Sequence, residues 1–296
     1  MKQAVIYYFS GTGNTELVAE MIDEELTKCQ YSVHLIRIED VLKNNLNMDL
    51  IKYDLIGIGS QVISFGTPSI VTRFIERLPS GKNNKVFIFR TAGGVAPINY
   101  NASKHIISKL SKKGYDVFYE RLFSIGSNWI VKFNDQIMKQ LYAATKRKVS
   151  LMCKELIDGD LRFLKTSLKR KLIMGIIGYI GPKAIHIVGK DYRVNQSCNH
   201  CGNCIRNCPA ENIYENKGKI KFKFSCNCCL RCAYSCPKQA ISFRLFSFFL
   251  IPSGYNIKKL LEPKNAGIIR PIDTDAVETD ISVPAFFENY IKNDSM

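Results

Sequence analysis

The first 160 residues alternate short apolar runs with longer segments in which apolar residues recur at helical spacing. The runs are rich in β-branched and aromatic residues and lie at 5–9, 33–38, 55–58, 86–89 and 117–123. Apolar residues at intervals of three and four come after the runs, most clearly over 17–26, 70–78, 102–110 and 138–156. These patterns predict five strands separated by amphipathic helices. The last helix is predicted to end at Gly159, a suitable C-cap.

Strands that are joined through helices predict an α/β fold with a doubly wound parallel sheet, covered on both faces. In such sheets ligands bind at the carboxyl ends of the strands. The loops after the first, third and fourth predicted strands are therefore the places to look for a binding site.

The loop after the first strand carries hydroxyls and glycines but no lysine. Its candidate ligand residues are Ser10, Gly11, Thr12, Gly13, Asn14 and Thr15. Loop amides and the start of the next helix can hold a phosphate there, and the hydroxyls can add hydrogen bonds. The missing G-K-[ST] ending argues against a nucleoside triphosphate, and the missing third glycine argues against a dinucleotide.

This loop resembles the FMN-phosphate loop of flavodoxins, and the resemblance covers roughly residues 1–160. It implies a five-stranded sheet of order 2-1-3-4-5 and bound FMN, with two further loops around the isoalloxazine ring. The candidates there are Ser60, Gln61, Phe65, Gly66, Thr91, Gly93 and Gly94. Phe65 is the only aromatic residue of these two loops that could stack on the ring. Trp129 lies beyond the fifth strand and is expected to have no role in flavin binding.

A four-cysteine pattern, C-x2-C-x2-C-x3-C-P, occurs twice near the end of the chain. Each position of the second copy lies 28 residues after its counterpart, from Cys198 to Cys226 and from Cys208 to Cys236. Internal duplication is the economical explanation. Structural zinc normally takes two pairs of ligands, and disulfides suit secreted chains, so both fit this pattern less well than iron does.

The cysteine block resembles a clostridial-type 2[4Fe-4S] ferredoxin, in which the last cysteine of each run serves the other cluster. The resemblance implies Cys198, Cys201, Cys204 and Cys236 for one cluster, and Cys226, Cys229, Cys232 and Cys208 for the other. Three cysteines remain. Cys228 is interpreted as a non-ligand, and Cys29 and Cys153, on helix faces, as buried apolar side chains.

The net charge of the chain indicates which kind of partner to expect. The chain has 296 residues and a formal net charge of +16, and between 190 and 244 ten Lys or Arg face three acids. This excess favours a redox partner with an acidic docking surface. Nucleic acid is not expected as a partner, because no recognition motif accompanies the charge. In segment 219–224 lysines alternate with apolar residues, which predicts a half-buried strand that covers a cluster.

The connector between the two regions is basic and apolar. Residues 162–190 contain seven Lys or Arg and no acid, and they enclose the apolar run 172–182. That run is about half of the ~20 residues that a bilayer span requires. We expect an interdomain helix that packs against both halves; the alternative is a helix on an anionic membrane surface. The start of the chain lacks a signal-peptide run, which predicts a cytoplasmic protein.

The predicted organisation is a flavodoxin-like domain (1–160), the connector (161–189), a small α+β two-cluster ferredoxin domain (190–245) and a C-terminal extension (246–296). The extension ends in an acidic tail, from 273 to 294, that could pair with the connector or move freely. Together these features resemble the flavodoxin–ferredoxin fusions of anaerobic bacteria (EFR-type ferredoxins).

That resemblance implies an electron-transfer protein in which FMN exchanges electrons with two [4Fe-4S] clusters and a partner enzyme. Two alternatives stay open from the sequence. One is a reductase that passes hydride from the flavin to a small substrate, and the other is an iron–sulfur binding or sensing module with a vestigial flavin domain. No catalytic residue of its own is evident for an enzyme.

Overall fold

The computed structural model describes residues 1–262 and 285–293. Its larger part is a parallel sheet built from the five predicted strands, β1 (Lys2–Phe9), β2 (Tyr31–Arg37), β3 (Leu55–Gln61), β4 (Lys85–Thr91) and β5 (Asp116–Phe123). Their order is β2-β1-β3-β4-β5, with every neighbouring pair parallel. The predicted flavodoxin-like, doubly wound fold is confirmed.

Helices cover both faces of the sheet. They are α1 (Asn14–Lys28), α2 (Ile38–Lys43), α3 (Ser69–Arg77), α4 (Lys104–Lys112) and α5 (Asp135–Asp158). Alternate residues of β1 enter different cores: Ile6 packs with α1 and α5, whereas Tyr7 packs with α3 and α4. Helix α5 is capped by Gly159 in the left-handed conformation, as predicted.

The small domain is α+β and repeats one unit twice. Its strands are β6 (Tyr192–Val194), β7 (Ile213–Asn216), β8 (Lys219–Phe222) and β9 (Ile241–Phe243), and its short helices are α7 (Asn203–Arg206) and α8 (Arg231–Tyr234). Strand β6 pairs antiparallel with β9, and β7 pairs antiparallel with β8. Buried apolar residues of both copies share one core.

The connector forms a single helix, α6 (Leu168–Val188). It contacts both halves, as expected: Gly178 approaches the carbonyl of Phe65, and the His186 ring lies 2.7 Å from the carbonyl oxygen of Cys226. The helix is longer than the apolar run 172–182 suggests. Of the described residues, one helical stretch, Leu168–Asp191, is long and apolar enough to cross a membrane, and only 22% of its most apolar window is buried.

The C-terminal extension folds back onto the large domain. Helix α9 (Ile257–Leu261) buries Ile257 against α1, and α10 (Ala285–Lys292) buries Tyr290, whose hydroxyl lies 2.8 Å from Thr145 Oγ1 of α5. The described end of the acidic tail is therefore held by α5. Any pairing between the connector and residues 273–284 lies outside the described residues.

Candidate functional site

A cavity of about 360 Å³ opens at the carboxyl ends of β1, β3, β4 and β5. Its volume lies within the usual range for small-molecule sites, about 300 to 1,000 Å³. We call it the sheet-edge cavity. The predicted flavin residues that line it are Ser10, Gly11, Thr12, Asn14, Thr15, Gln61, Phe65, Thr91 and Gly93. Three separate loops are thus brought together, as strands with a common polarity require.

The first loop is shaped by its own hydrogen bonds. Gly13 has φ 101°, a left-handed conformation, and its N–H donates to Ser10 Oγ at 3.1 Å. This curls the chain just before α1 begins at Asn14, where the positive end of the helix dipole favours an anion. The Thr15 hydroxyl is buried and lies 2.8 Å from the hydroxyl of Thr91, which joins the first loop to β4.

Side chains from distant parts of the chain fix this loop. Asn128 donates to Thr12 Oγ1 at 2.7 Å, and Asn14 donates to the Gly126 carbonyl at 3.1 Å. The amide oxygen of Asn14 accepts from the Tyr255 hydroxyl at 2.7 Å. Burial raises the pKa of Tyr255, so its hydroxyl stays protonated and can donate.

Four predicted flavin residues do not line the cavity, and each supports it from outside. Gly13 packs against Ile257, the Gly94 carbonyl accepts from Asn99, and Ser60 and Gly66 accept from Arg90. Ser60 is buried within β3 and does not line the cavity.

Arg90 positions the loop after β3. It is 1% exposed and donates to the carbonyls of Ser60 (3.2 Å), Gln61 (3.1 Å) and Gly66 (3.0 Å). Burial lowers the pKa of Arg90 to about 10, so the guanidinium stays charged at neutral pH. The charge serves to hold a loop in place and does not reach the cavity lining.

Two aromatic side chains, not one, line the cavity. Phe65 does so from a left-handed backbone with φ 61° and is 36% exposed. Trp129, for which no flavin role was expected, also lines the cavity. The loop after β5 turns back over the sheet edge, and the Trp129 ring packs 4.7 Å from that of Phe249. Sequence reasoning missed it because this loop lacks a regular pattern.

One residue of the cavity lining, Gln61, carries a polar atom without a partner among the described residues. Gln61 Oε1 is buried without a hydrogen-bond partner in the described part of the chain. The loop beside α1, with its glycines and hydroxyls, suits a phosphate. Among the residues that line the cavity there is no Asp, Glu, His, Lys or Arg. The lining therefore does not contain a side chain of these types that could act as the general acid of the alternative hydride-transfer reductase.

The eight pattern cysteines gather in two small cavities of the small domain. One is lined by Cys198, Cys201, Cys204 and Cys236, and we call it the first cysteine site. The other, the second cysteine site, is lined by Cys208, Cys226, Cys229 and Cys232. The last cysteine of each run thus faces the three cysteines of the other copy. This grouping matches the ligand sets that the ferredoxin resemblance implies.

One sulfur of each copy accepts a hydrogen bond from a backbone N–H at a matching position. Cys208 Sγ accepts from the Asn212 N–H at 3.2 Å, and Cys236 Sγ accepts from the matching Ala240 N–H at 3.3 Å. Such hydrogen bonds to sulfur tune a cluster. From β8, Ile220 lines the first site and Phe222 the second, so this strand covers both.

No group of three or more His, Cys, Asp or Glu side chains in residues 1–262 and 285–293 is arranged for a single metal ion. The thiolates around a four-iron cluster lie further apart than the ligands of a single metal ion. The absence of a single-ion site in these residues therefore does not bear on whether the two cysteine sites can hold clusters. Of the other cysteines, Cys153 is buried as expected, whereas Cys29 is exposed. The expectation for Cys29 was wrong because it caps α1 after the buried face has ended. Cys228 is fully buried and lines the sheet-edge cavity.

The second cysteine site touches the sheet-edge cavity. Cys229 lines both, and Gly11 lies so close that an added Cβ would come 2.2 Å from the Cys229 carbonyl oxygen. Arg231 donates to the Ser10 carbonyl at 2.5 Å and forms a 2.5 Å ion pair with the buried Glu39. These contacts hold the second site against the loop from Ser10 to Thr15, which we call the phosphate-type loop.

Solved structures similar to this chain include several flavodoxins. An archaeal flavodoxin is 17% identical, with 52% of this chain and 99% of that chain covered and a TM-score of 0.38, and flavodoxin 2 from Bacillus cereus is 20% identical, with 53% and 99% covered and a TM-score of 0.40. The two-electron reduced flavodoxin of Megasphaera elsdenii is 27% identical over 40% of this chain and 84% of its own, with TM-score 0.34. No protein-family model and no curated protein matches the chain.

Proposed function

We propose that this protein transfers electrons between FMN in the sheet-edge cavity and two [4Fe-4S] clusters in the cysteine sites, and from there to a partner redox enzyme. The observation that carries the proposal is the position of Cys229, which lines both the cavity and the second cysteine site. One residue thus borders both the proposed flavin and the nearer of the two proposed clusters.

Each part of the cavity has a role in this proposal. The amides of the loop from Ser10 to Thr15 and the start of α1 would hold the phosphate. Gln61 would accept a hydrogen bond from the ring, and Phe65 and Trp129 would cover it. Arg90 keeps the Gln61-to-Gly66 loop in place through its carbonyl contacts.

FMN can exchange two electrons and each cluster one, so the pair could divide or gather electrons. The chain supplies orientation, exclusion of water and docking charge. Arg231 and Gly11 fix the second site against the cavity, and Ile220 and Phe222 shield the cluster sites from solvent.

The partner is proposed to dock where the first cysteine site reaches the surface. Cys201 is exposed there, and Lys219 and Lys221 of the neighbouring strand β8 point their charges outward. An acidic surface on a redox enzyme would complement these lysines. The cytoplasm is the proposed location of this transfer.

Anaerobic purification with chemical analysis tests the cofactor content. We expect about eight iron and eight sulfide per chain, as two [4Fe-4S] clusters require, together with one flavin. Rapid mixing with a reductant should then change flavin and cluster absorbance in linked phases. Iron without flavin uptake would contradict the proposal and favour the binding or sensing module, and unlinked phases would contradict the internal transfer.

A further inference from the structure

One face of α6 is packed against the protein. Met174, Pro182 and Ile185 are buried on it, and Gly178 and Gly181 lie between them. An added Cβ would come 2.6 Å from the Phe65 carbonyl at Gly178 and 2.8 Å from Ser64 at Gly181. The small residues let the helix lie directly on the loop that borders the sheet-edge cavity.

The remaining surface of α6 is apolar and exposed. Its exposed apolar side chains run from 41% to 82% exposure and are Leu168, Leu172, Ile173, Ile176, Ile177, Tyr179, Ile180 and Ile187. We call this surface the α6 apolar face. Large contiguous apolar patches are uncommon on soluble monomers and mark sites that another surface covers.

The charges around this face indicate what covers it. Residues 162–190 hold seven Lys or Arg and no acid, and three of these bases, Lys169, Arg170 and Lys171, stand together in the first turn of α6. Further along, the Lys183 ammonium lies 3.8 Å from the centre of the Tyr179 ring. A lysine that lies along an apolar face with its charge at the edge is suited to the boundary between lipid tails and headgroups.

A groove of about 440 Å³ joins the basic and apolar parts. Lys104 of α4 and Lys171 line it, together with Leu172, Ile176 and Tyr179. Positive charge beside an apolar wall is the arrangement that an acidic phospholipid fits, with its phosphate near the lysines and its chain along the wall.

Length alone would also allow α6 to cross a bilayer. A spanning helix, however, is surrounded by lipid, and lipid cannot hydrogen-bond an exposed loop backbone. The packed face of α6 rests on the irregular loop at Ser64, Phe65 and Gly66 and on the second cysteine site. We therefore propose that α6 lies in the plane of an anionic membrane surface and attaches this protein to it through the α6 apolar face.

Sedimentation with vesicles tests this attachment and needs neither flavin nor clusters as a readout. The full chain should sediment with vesicles of mixed phosphatidylglycerol and phosphatidylcholine, release on addition of salt, and bind pure phosphatidylcholine far less. The double variant Ile176→Gln/Ile180→Gln should lose about tenfold or more in partitioning, because it removes apolar surface that enters the lipid. Ile51→Gln, which removes a 70% exposed isoleucine elsewhere, should bind like the parent chain.

A second variant isolates the charge. Lys169→Gln/Arg170→Gln should weaken binding to the anionic vesicles by about tenfold, whereas Lys219→Gln/Lys221→Gln on β8 should not. Equal binding to both lipid compositions, or no binding at all, would overturn the proposal. So would protein that resists alkaline extraction from cell membranes, which indicates a spanning helix. A dimer that dissociates in the double isoleucine variant would assign the face to self-association instead.

Discussion

The two cysteine sites have the same backbone conformation but different surroundings. Matched positions 28 residues apart adopt the same left-handed conformation, with φ 69° at Gly202 and 62° at Leu230, and φ 49° at Glu211 and 47° at Gln239. Such conformations are unfavourable for most residues. Their recurrence at non-glycine positions indicates that the cysteine geometry requires these bends, whatever side chain is present.

The different surroundings result from a few matching positions at which the two copies have different residues. His200, beside the first site, is exposed and pairs with Glu215, whereas the matching Cys228 is fully buried at the sheet-edge cavity. Asn203 of the first copy is matched by Arg231, which bonds to the large domain. Duplication thus accounts for two cysteine sites with the same backbone conformation. Differences at single residues then account for the contact of one site with the large domain and for the exposure of the other at the surface.

Removing one cysteine from each site should give the largest difference between them. Cys229→Ala and Cys201→Ala should each lower the iron content by about half, because each takes a ligand from one cluster. Only Cys229→Ala should abolish the rapid phase that links flavin and cluster absorbance. Cys201→Ala should keep that phase and lose transfer to an external acceptor. Equal effects of the two variants in stopped flow would show that both clusters stand in the same relation to the flavin.

Loss of the Arg231 contacts should loosen the second site alone. Arg231→Met leaves the Glu39 carboxylate, 4% exposed, without its ion-pair partner. Breaking a buried pair in this way costs about 3 kcal/mol or more. We expect a lower free energy of unfolding in urea and faster loss of cluster absorbance in air.

The control is Arg206→Met, which removes an exposed arginine from α7 of the first copy. It should change the free energy of unfolding by less than about 0.5 kcal/mol. Equal urea midpoints for the two variants would mean that Arg231 does not hold the domains together.

A single methyl group at Gly11 tests how closely the second site meets the phosphate-type loop. In Gly11→Ala the new Cβ would lie 2.2 Å from the Cys229 carbonyl oxygen, so the backbone must shift. Overpacking of this kind costs about 1–3 kcal/mol, and FMN titration by fluorescence should show weaker binding. Gly175→Ala is the matched control, since its Cβ meets nothing within 4 Å. If both variants bind FMN as the parent chain does, the contact is not needed for the loop.

Features that repeat along the chain, or that depend on strand polarity, are predictable from the sequence. Cys198 and Cys226 are found by their 28-residue spacing, and Gln61 by its place in the loop after the third predicted strand. Both signals come from local rules, the first from ligand spacing and the second from the common polarity of parallel strands. The loops at the edge of the sheet are therefore accessible from these rules, whereas the order of the strands is an expectation that rests on the resemblance to flavodoxins.

Contacts between distant segments could not be predicted in this way. Arg231 reaches Ser10 across 221 residues, and Trp129 comes to the cavity from a loop with no periodic pattern. Their positions depend on how the small domain docks, which no spacing rule encodes. Cys29 shows that helical periodicity also fails at the end of a helix. It lies one residue beyond the end of α1, and its side chain is therefore exposed to solvent and not buried.

The contact between the C-terminal extension and α1 should make the smallest contribution to stability, and this contribution depends on pH. Lys258 of α9 lies 3.1 Å from Glu16 Oε2, and Arg37 lies 2.6 Å from Glu16 Oε1. Partial burial opposes ionisation of Glu16, but hydrogen bonds from Arg37 and Lys258 outweigh it and lower the pKa of this carboxyl. A carboxyl whose pKa is lower in the folded state stabilises the fold above its unfolded pKa, and this contribution is lost as the pH falls through the folded value.

Glu16→Gln should therefore lower the free energy of unfolding near pH 7 by about 0.5–1 kcal/mol, because both cations are about half exposed and screened. Below the folded-state pKa the difference from the parent chain should vanish. Urea unfolding of both proteins from pH 7 down to pH 3 checks this. Glu76→Gln, which breaks an exposed pair with Lys109 on the opposite face of the sheet, is the control. A difference that persists unchanged at the acid end would mean that the Glu16 charge does not fasten α9 beside the phosphate-type loop.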